Sequence, residues 1–148
     1  MRFTIWLIAF LVLTGFKNSC GQDVITVTWN QLGDIRFEES YDEGSGEFYQ
    51  KPVFGPMIQA FEGSEIKITG YVIPMDIDLN AYVVSRFPFS SCFFCGNAGP
   101  ETVVDLQMGD QSRSFKNDER RSFCGRLRLN TGRFFALPYI LEDCKVCD

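Results

Sequence analysis

Six cysteines and no histidine fix the chemistry open to this chain of 148 residues. Four of the cysteines form two Cys-x-x-Cys pairs, Cys92 with Cys95 and Cys144 with Cys147, while Cys20 and Cys124 stand apart. Without histidine, Ser-His-Asp and Cys-His nucleophilic catalysis are ruled out. The commonest general base and metal ligand goes with them. Paired cysteines then leave three kinds of chemistry. Thiolates can hold a soft metal ion such as zinc or copper. A reactive dithiol can exchange with disulfides. Or the cysteines can staple a small fold in an oxidising compartment.

The first pair sits in SRFPFSSCFFCGNAGPETVVDL, residues 85–106. A thioredoxin-like centre places its reactive cysteine at a helix N-terminus, which lowers the thiol pKa. Here the motif runs into Gly96-Asn97-Ala98-Gly99-Pro100, which cannot start a helix there, and no βαβ pattern surrounds it. Redox chemistry is therefore the third reading, behind a loop staple and a small binding or metal site. The candidate ligand-binding loop comprises Phe89, Phe93, Phe94, Gly96, Gly99, Pro100 and Glu101. Phe87, Phe89, Phe93 and Phe94 either line an apolar pocket or close the mouth of the core. Gly96 and Gly99 are expected to set the backbone path through glycine's conformational freedom, and Pro100 to fix the start of the next strand.

The elements around the loop read as strands. From Glu65 the hydrophobic period is two: Ile66, Ile68, Gly70 and Val72 share a face in a strand expected to stop at Pro74. Further strands are predicted over residues 81–87, 102–108, 121–129 and 138–144. Tyr82 and Val84 alternate with Val83 and Ser85. Phe123, Gly125, Leu127 and Leu129 alternate with Cys124, Arg126 and Arg128. Glycines inside the first and fourth strands suit strongly coiled strands with close backbone approach. The pattern predicts a mainly β fold, a small five-stranded OB-like Greek-key barrel over residues 64–148. Residues 22–63 form an N-terminal extension of one strand and a short helix, with Phe54, Met57, Ile58 and Phe61 on one helical face. The acidic, glycine-rich residues 41–47 read as a solvated loop.

This topology bears on the cysteines. In an OB barrel the third and fifth strands run parallel, so Cys92 and Cys95 lie a strand away from Cys144 and Cys147, roughly 15–20 Å. A four-thiolate zinc site is thereby disfavoured. The fourth and fifth strands form an antiparallel pair about residue 134, which sets Cys124 opposite Cys144. A Cys124–Cys144 disulfide is the first expectation; a one-residue bulge would bring Cys147 to Cys124 instead.

Several stretches resemble a family of small exported bacterial proteins known only as a domain of unknown function, DUF3299. They are TVTWNQLGDIRF, PVFGPMIQAFEG, EIKITGYVIPMD, VSRFPFSSCFFCGNAGPETVVDLQM, CGRLRLN and PYILEDC. The resemblance spans nearly all of residues 22–148 and matches Cys92, Cys95, Gly96, Gly99, Pro100 and Glu101 to the family's central motif. It implies an OB-like strand order and carries no activity. Cys124, Cys144 and Cys147 lie outside the motif.

Residues 1–21 have the order of a signal peptide: Arg2, an apolar run of 12 residues from Ile5 to Phe16, then small and polar residues. Cleavage after Gly21 is expected, with lipidation of Cys20, which would anchor the protein to a membrane, as the first alternative and an uncleaved anchor helix, disfavoured by the short apolar run, as the second. In each case the protein is exported, to the periplasm or cell envelope. The segment holds two of the 14 basic residues and none of the 19 acidic ones, so the remainder carries a charge of 12 − 19 = −7. An acidic domain without a basic stripe excludes nucleic acid as a partner. The expected function is a non-catalytic envelope module binding an envelope protein or small ligand through residues 90–101, without a cofactor. The alternatives are a zinc or copper protein using Cys92 and Cys95, and a thiol–disulfide protein.

Overall fold

A computed structural model describes residues 23–76, 79, 81–109, 114–131 and 137–148. The signal-peptide reading and Cys20 lie outside the described residues.

Eight strands and two short helices follow one another: β1 (Ile25–Thr26), α1 (Trp29–Leu32), β2 (Ile35–Asp42), β3 (Glu47–Phe54), α2 (Pro56–Gln59), β4 (Glu65–Asp76), β5 (Ala81–Ser85), β6 (Val103–Met108), β7 (Glu119–Leu129) and β8 (Tyr139–Val146). The main sheet runs β1-β4-β5-β6-β8-β7, and β7 pairs again with β4 to close a five-stranded barrel. The β6–β8 pair is parallel, while β4–β5, β5–β6, β7–β8 and β4–β7 are antiparallel. That is the OB strand order.

Alternation decides what the barrel encloses. Ile66, Ile68 and Val72 from β4, Tyr82 and Val84 from β5, Val104 and Leu106 from β6, Phe123 and Leu127 from β7, and Tyr139 and Leu141 from β8 form one buried core. β4 is long enough to serve both neighbours, pairing with β7 through Glu65–Val72 and with β5 from Tyr71 onward. Gly70 lies beside this change of partner, where a Cβ would lie 2.4 Å from the Ser85 carbonyl oxygen and 2.9 Å from the Trp29 ring. The strand does not end at Pro74. It continues to Asp76 through an irregularity between the two.

The N-terminal segment covers one end. β1 adds to β4 in parallel. α1 is capped reciprocally by Thr28 and Gln31, and Leu32 is wholly buried. Trp29 Nε1 donates to the Thr69 carbonyl at 2.9 Å, satisfying a backbone acceptor next to Gly70. α2 begins with Pro56 at its first turn. The Asp34 carboxylate accepts from Met57 N at 2.8 Å and Ile58 N at 3.3 Å, replacing the missing side-chain cap. Of the predicted helical face, Phe54 and Ile58 are buried and Phe61 packs at the margin, but Met57 is exposed. The helix is a single turn, so no four-residue stripe forms.

The extension also holds a β-hairpin where one strand and a solvated loop were expected. β2 and β3 pair over eight residues each, Ile35 opposite Phe54 through Asp42 opposite Glu47. Asp42 closes the turn, accepting from Gly44 N and Ser45 Oγ, and Gly46 takes φ 74°. Both faces of this ribbon are largely exposed. It therefore lacks the one-sided hydrophobic alternation by which a strand is recognised.

Candidate functional site

The segment between β5 and β6 folds back over the outside of the barrel. Ile73 and Val83 point away from the core on β4 and β5, yet both are buried. They are covered by Cys92, itself fully buried, and this second apolar cluster is flanked by Leu137. The loop is thus anchored by a cysteine side chain used as a small apolar group.

Two tight turns carry it. The first runs through Phe89–Ser91, the second through Phe93–Cys95. Cys95 N donates to the Cys92 carbonyl at 3.2 Å and Gly96 N to Phe93 at 2.9 Å. Gly96 then reverses the chain at φ 74°. Gly99 does not supply a left-handed residue; its φ is −81°. Its missing Cβ leaves room for the Glu101 carboxylate, which lies 2.2 Å from where that carbon would be. Pro100 opens a third turn, Pro100–Thr102, that leads into β6. The loop is tied at both ends. Phe89 N donates to Asp118 Oδ1 at 2.7 Å, and Arg86 N donates to the Thr102 carbonyl at 2.9 Å.

Phe87 and Phe93 are half-buried, whereas Phe89 and Phe94 are 44% and 38% exposed. Phe93 and Phe94 stack edge to face with centroids 5.4 Å apart, and the Arg86 guanidinium lies 5.3 Å over the Phe87 ring. A shallow cavity of about 250 Å³ lies elsewhere, lined by Ser114, Phe115, Glu119, Arg121, Val146 and Asp148.

Cys95 is exposed and Cys92 is not; neither is in a disulfide. The Cys95 thiol donates to the Phe89 carbonyl at 3.0 Å. Desolvation first, and Cys92 second, raise its pKa above the ordinary thiol value.

The remaining cysteines are arranged differently from the first expectation. Cys124 is bonded to Cys147, with Cα atoms 5.7 Å apart, and Cys144 is a free, buried thiol. The β7–β8 register has Leu129 opposite Tyr139 and Arg126 opposite Glu142, then shifts so that Cys124 faces Lys145. One extra residue on β8 causes the shift, and Asp143 within it has φ 50°. Cys144 is thereby turned into the core, its Sγ 3.1 Å from the Met108 sulfur. Burial, then the Asp105 charge, push its pKa up to about 12. The two Cys-x-x-Cys pairs are not brought together: Cys92 lies in the outer cluster and Cys144 in the barrel core. Among the described residues, no three Cys, Asp or Glu side chains converge as a metal site would require.

Sequence reasoning missed the exposed aromatic pair on the hairpin, Tyr41 and Phe48, whose rings lie 5.0 Å apart. The signal was available: a Gly-rich turn flanked by IRFEESYD and EFYQKPVF.

No family model and no curated protein matches the chain. Its structure is similar to the 2.45 Å crystal structure of a DUF3299 family protein from Pseudomonas aeruginosa PAO1. The TM-score is 0.53 and the sequence identity 12%, over 84% of this chain and 97% of that one. At that identity the likeness is one of fold. The chain shares with that DUF3299 structure the fold of a closed five-stranded barrel with an added strand.

Proposed function

We propose that the protein is an exported, non-catalytic binding module of the cell envelope, and that the loop over residues 90–101, with Phe89 beside it, meets the partner or ligand. One observation carries this reading. Phe89 and Phe94 hold large apolar surface in water on a segment whose backbone is tied down at both ends and whose centre, Cys92, is sealed against the barrel. Aromatic side chains on a fixed backbone lose little conformational freedom on binding, so contact area converts efficiently into affinity.

Export is supported by the order of residues 1–21 and by the Cys124–Cys147 disulfide, since such bonds persist in oxidising compartments. The mature chain then begins at Gln22, or at a lipidated Cys20. The acidic charge favours a basic or apolar partner over nucleic acid. No cofactor enters this reading. Among the described residues, zinc or copper would have to rest on Cys92 and Cys95 alone, and elemental analysis of protein purified without added metal tests that alternative.

The binding reading is tested by placing a photo-crosslinking residue at Phe94 or Phe89 in intact cells. The expected result is one adduct recovered from both positions and not from the exposed control Met57. Equal recovery from Met57, or none from the loop, overturns it.

A further inference from the structure

We propose that Cys92 and Cys95 are a dithiol–disulfide exchange site, with exposed Cys95 as the attacking thiol and buried Cys92 as the resolving thiol. The co-reactant is a disulfide, of a small thiol or of another envelope protein. The inference goes beyond binding by the loop and does not depend on it.

Geometry carries it. The hydrogen bond from Cys95 N to the Cys92 carbonyl closes a four-residue turn, and such a turn holds its end Cα atoms within about 7 Å. Disulfides form at Cα separations up to roughly 6.8 Å. Cys92 lies near enough to Cys95 to help raise the Cys95 pKa. Their exposures differ completely. Cys92 has no accessible surface and Cys95 is open to solvent. An external disulfide can reach only Cys95, and only Cys95 can reach Cys92. The third free thiol among the described residues, Cys144, is enclosed in the barrel core.

The exchange balances. The Cys95 thiol loses its proton, and its thiolate attacks one sulfur of R–S–S–R. That bond breaks, R–S⁻ leaves and is protonated, and Cys95 carries a mixed disulfide. Cys92 then loses its proton and attacks the Cys95 sulfur, forming the Cys92–Cys95 bond and expelling the second R–SH. Two protein thiols are oxidised by two electrons and one external disulfide is reduced to two thiols. A Cys95 thiol bound to the Phe89 carbonyl and raised in pKa holds less thiolate at neutral pH, so the first step speeds up as pH rises. Closing the ring also takes the Cys95 hydrogen from the Phe89 carbonyl, at the base of the exposed Phe89.

The probe is oxidised glutathione, with intact mass read after acid quench and alkylation of remaining thiols in denaturant. The purified protein is expected to lose the Cys92 and Cys95 thiols together, with no lasting glutathione adduct, and to keep Cys144. Cys92→Ala is expected to retain one glutathione on Cys95. Cys95→Ser is expected to react at least tenfold more slowly than wild type. Folding of each variant is checked by the Cys124–Cys147 linked peptide after non-reducing digestion; where it is lacking, Cys92→Ser replaces Cys92→Ala and Cys95→Ala replaces Cys95→Ser. A stable adduct on wild type, or a Cys95→Ser protein that reacts as fast, overturns the proposal.

Discussion

Cys124 is bonded to Cys147 although the residue directly opposite it is Lys145. The bond is diagonal, and it exists because β8 carries one residue more than β7 across the bulge at Asp143. Gly125 sits opposite that bulge, where a Cβ would lie 2.6 Å from the Glu142 carbonyl oxygen and 3.0 Å from Cys144 Cα. A bulge opposes two residues to one and bends the strand. Here it reverses the roles of two cysteines, sending Cys147 to the bond and Cys144 into the core.

Peptide mapping of non-reduced protein is therefore expected to yield a fragment joining Cys124 to Cys147, with Cys144 alkylated only after denaturation. In the chain-entropy model, a bond spanning 23 residues contributes on the order of 3 kcal/mol. Cys147→Ser should lower stability in urea by about that amount. A fragment joining Cys124 to Cys144 would sink the bulged register.

The glycines separate by what surrounds them. At Gly70 and Gly125 a methyl group meets backbone atoms, and Gly70→Ala or Gly125→Ala is expected to cost about 1–3 kcal/mol. Gly96 has open space around it but a positive φ, so Gly96→Ala costs roughly 1–2 kcal/mol through the backbone alone. At Gly99 the obstacle is the Glu101 carboxylate, which can swing aside, and the loss should be the smallest of the four. Urea midpoints that place Gly99→Ala below Gly70→Ala would contradict this.

Cys144 gives a signature at high pH. Its folded pKa, about 12, lies above the ordinary thiol value of 9.0. The unfolded chain therefore releases this proton first, and the stabilisation is fully present below pH 9 and lost between 9 and 12. Tyr139 is raised in the same direction by burial, so the comparison is between wild type and Cys144→Ala. The variant should show the shallower decline, and parallel curves would remove Cys144 as the cause.

Asp105 acts near the other end of the scale. Burial raises its carboxyl, against the lowering effects of Gln107 and Arg128. Its contribution is greatest below the ordinary carboxylate range and falls as pH rises through the folded pKa. Asp105→Asn should flatten that slope and leave the protein at least as stable at neutral pH. A neutral-pH loss above about 1 kcal/mol would show that the charged form is the favoured one.

The β2–β3 hairpin should open before the barrel. Its strands pair chiefly with each other and touch the rest sparsely, and an isolated two-stranded ribbon is marginal in water. Amide exchange in Ile35–Asp42 and Glu47–Phe54 is expected to outpace that in β4 and β7 by at least tenfold. Equal protection would mean that the hairpin is held by more than its own ladder.

Much of the barrel was legible in the residues. The period-two runs around Ile66, Tyr82, Val104, Leu127 and Leu141 put one face in the core, and Gly70 and Gly125 marked the close approaches. Those signals are local, and one-sided burial makes them strong. The five-strand order followed from their number and bending. The numerical symmetry about residue 134 was right from Leu129 to Arg126 and failed at Cys124, because one bulged residue on β8 is set by how Gly125 packs against Glu142 and Cys144. The hairpin was hidden for the opposite reason: beyond Ile35 and Phe54 at its base, both faces are largely in water, so little in β2 or β3 had to alternate. The placement of Cys92 was a tertiary decision too. Its neighbours Ile73 and Val83 lie on the outward face of two strands, and only the fold-back of the loop between β5 and β6 turns that face into a second core and leaves Cys95 outside it.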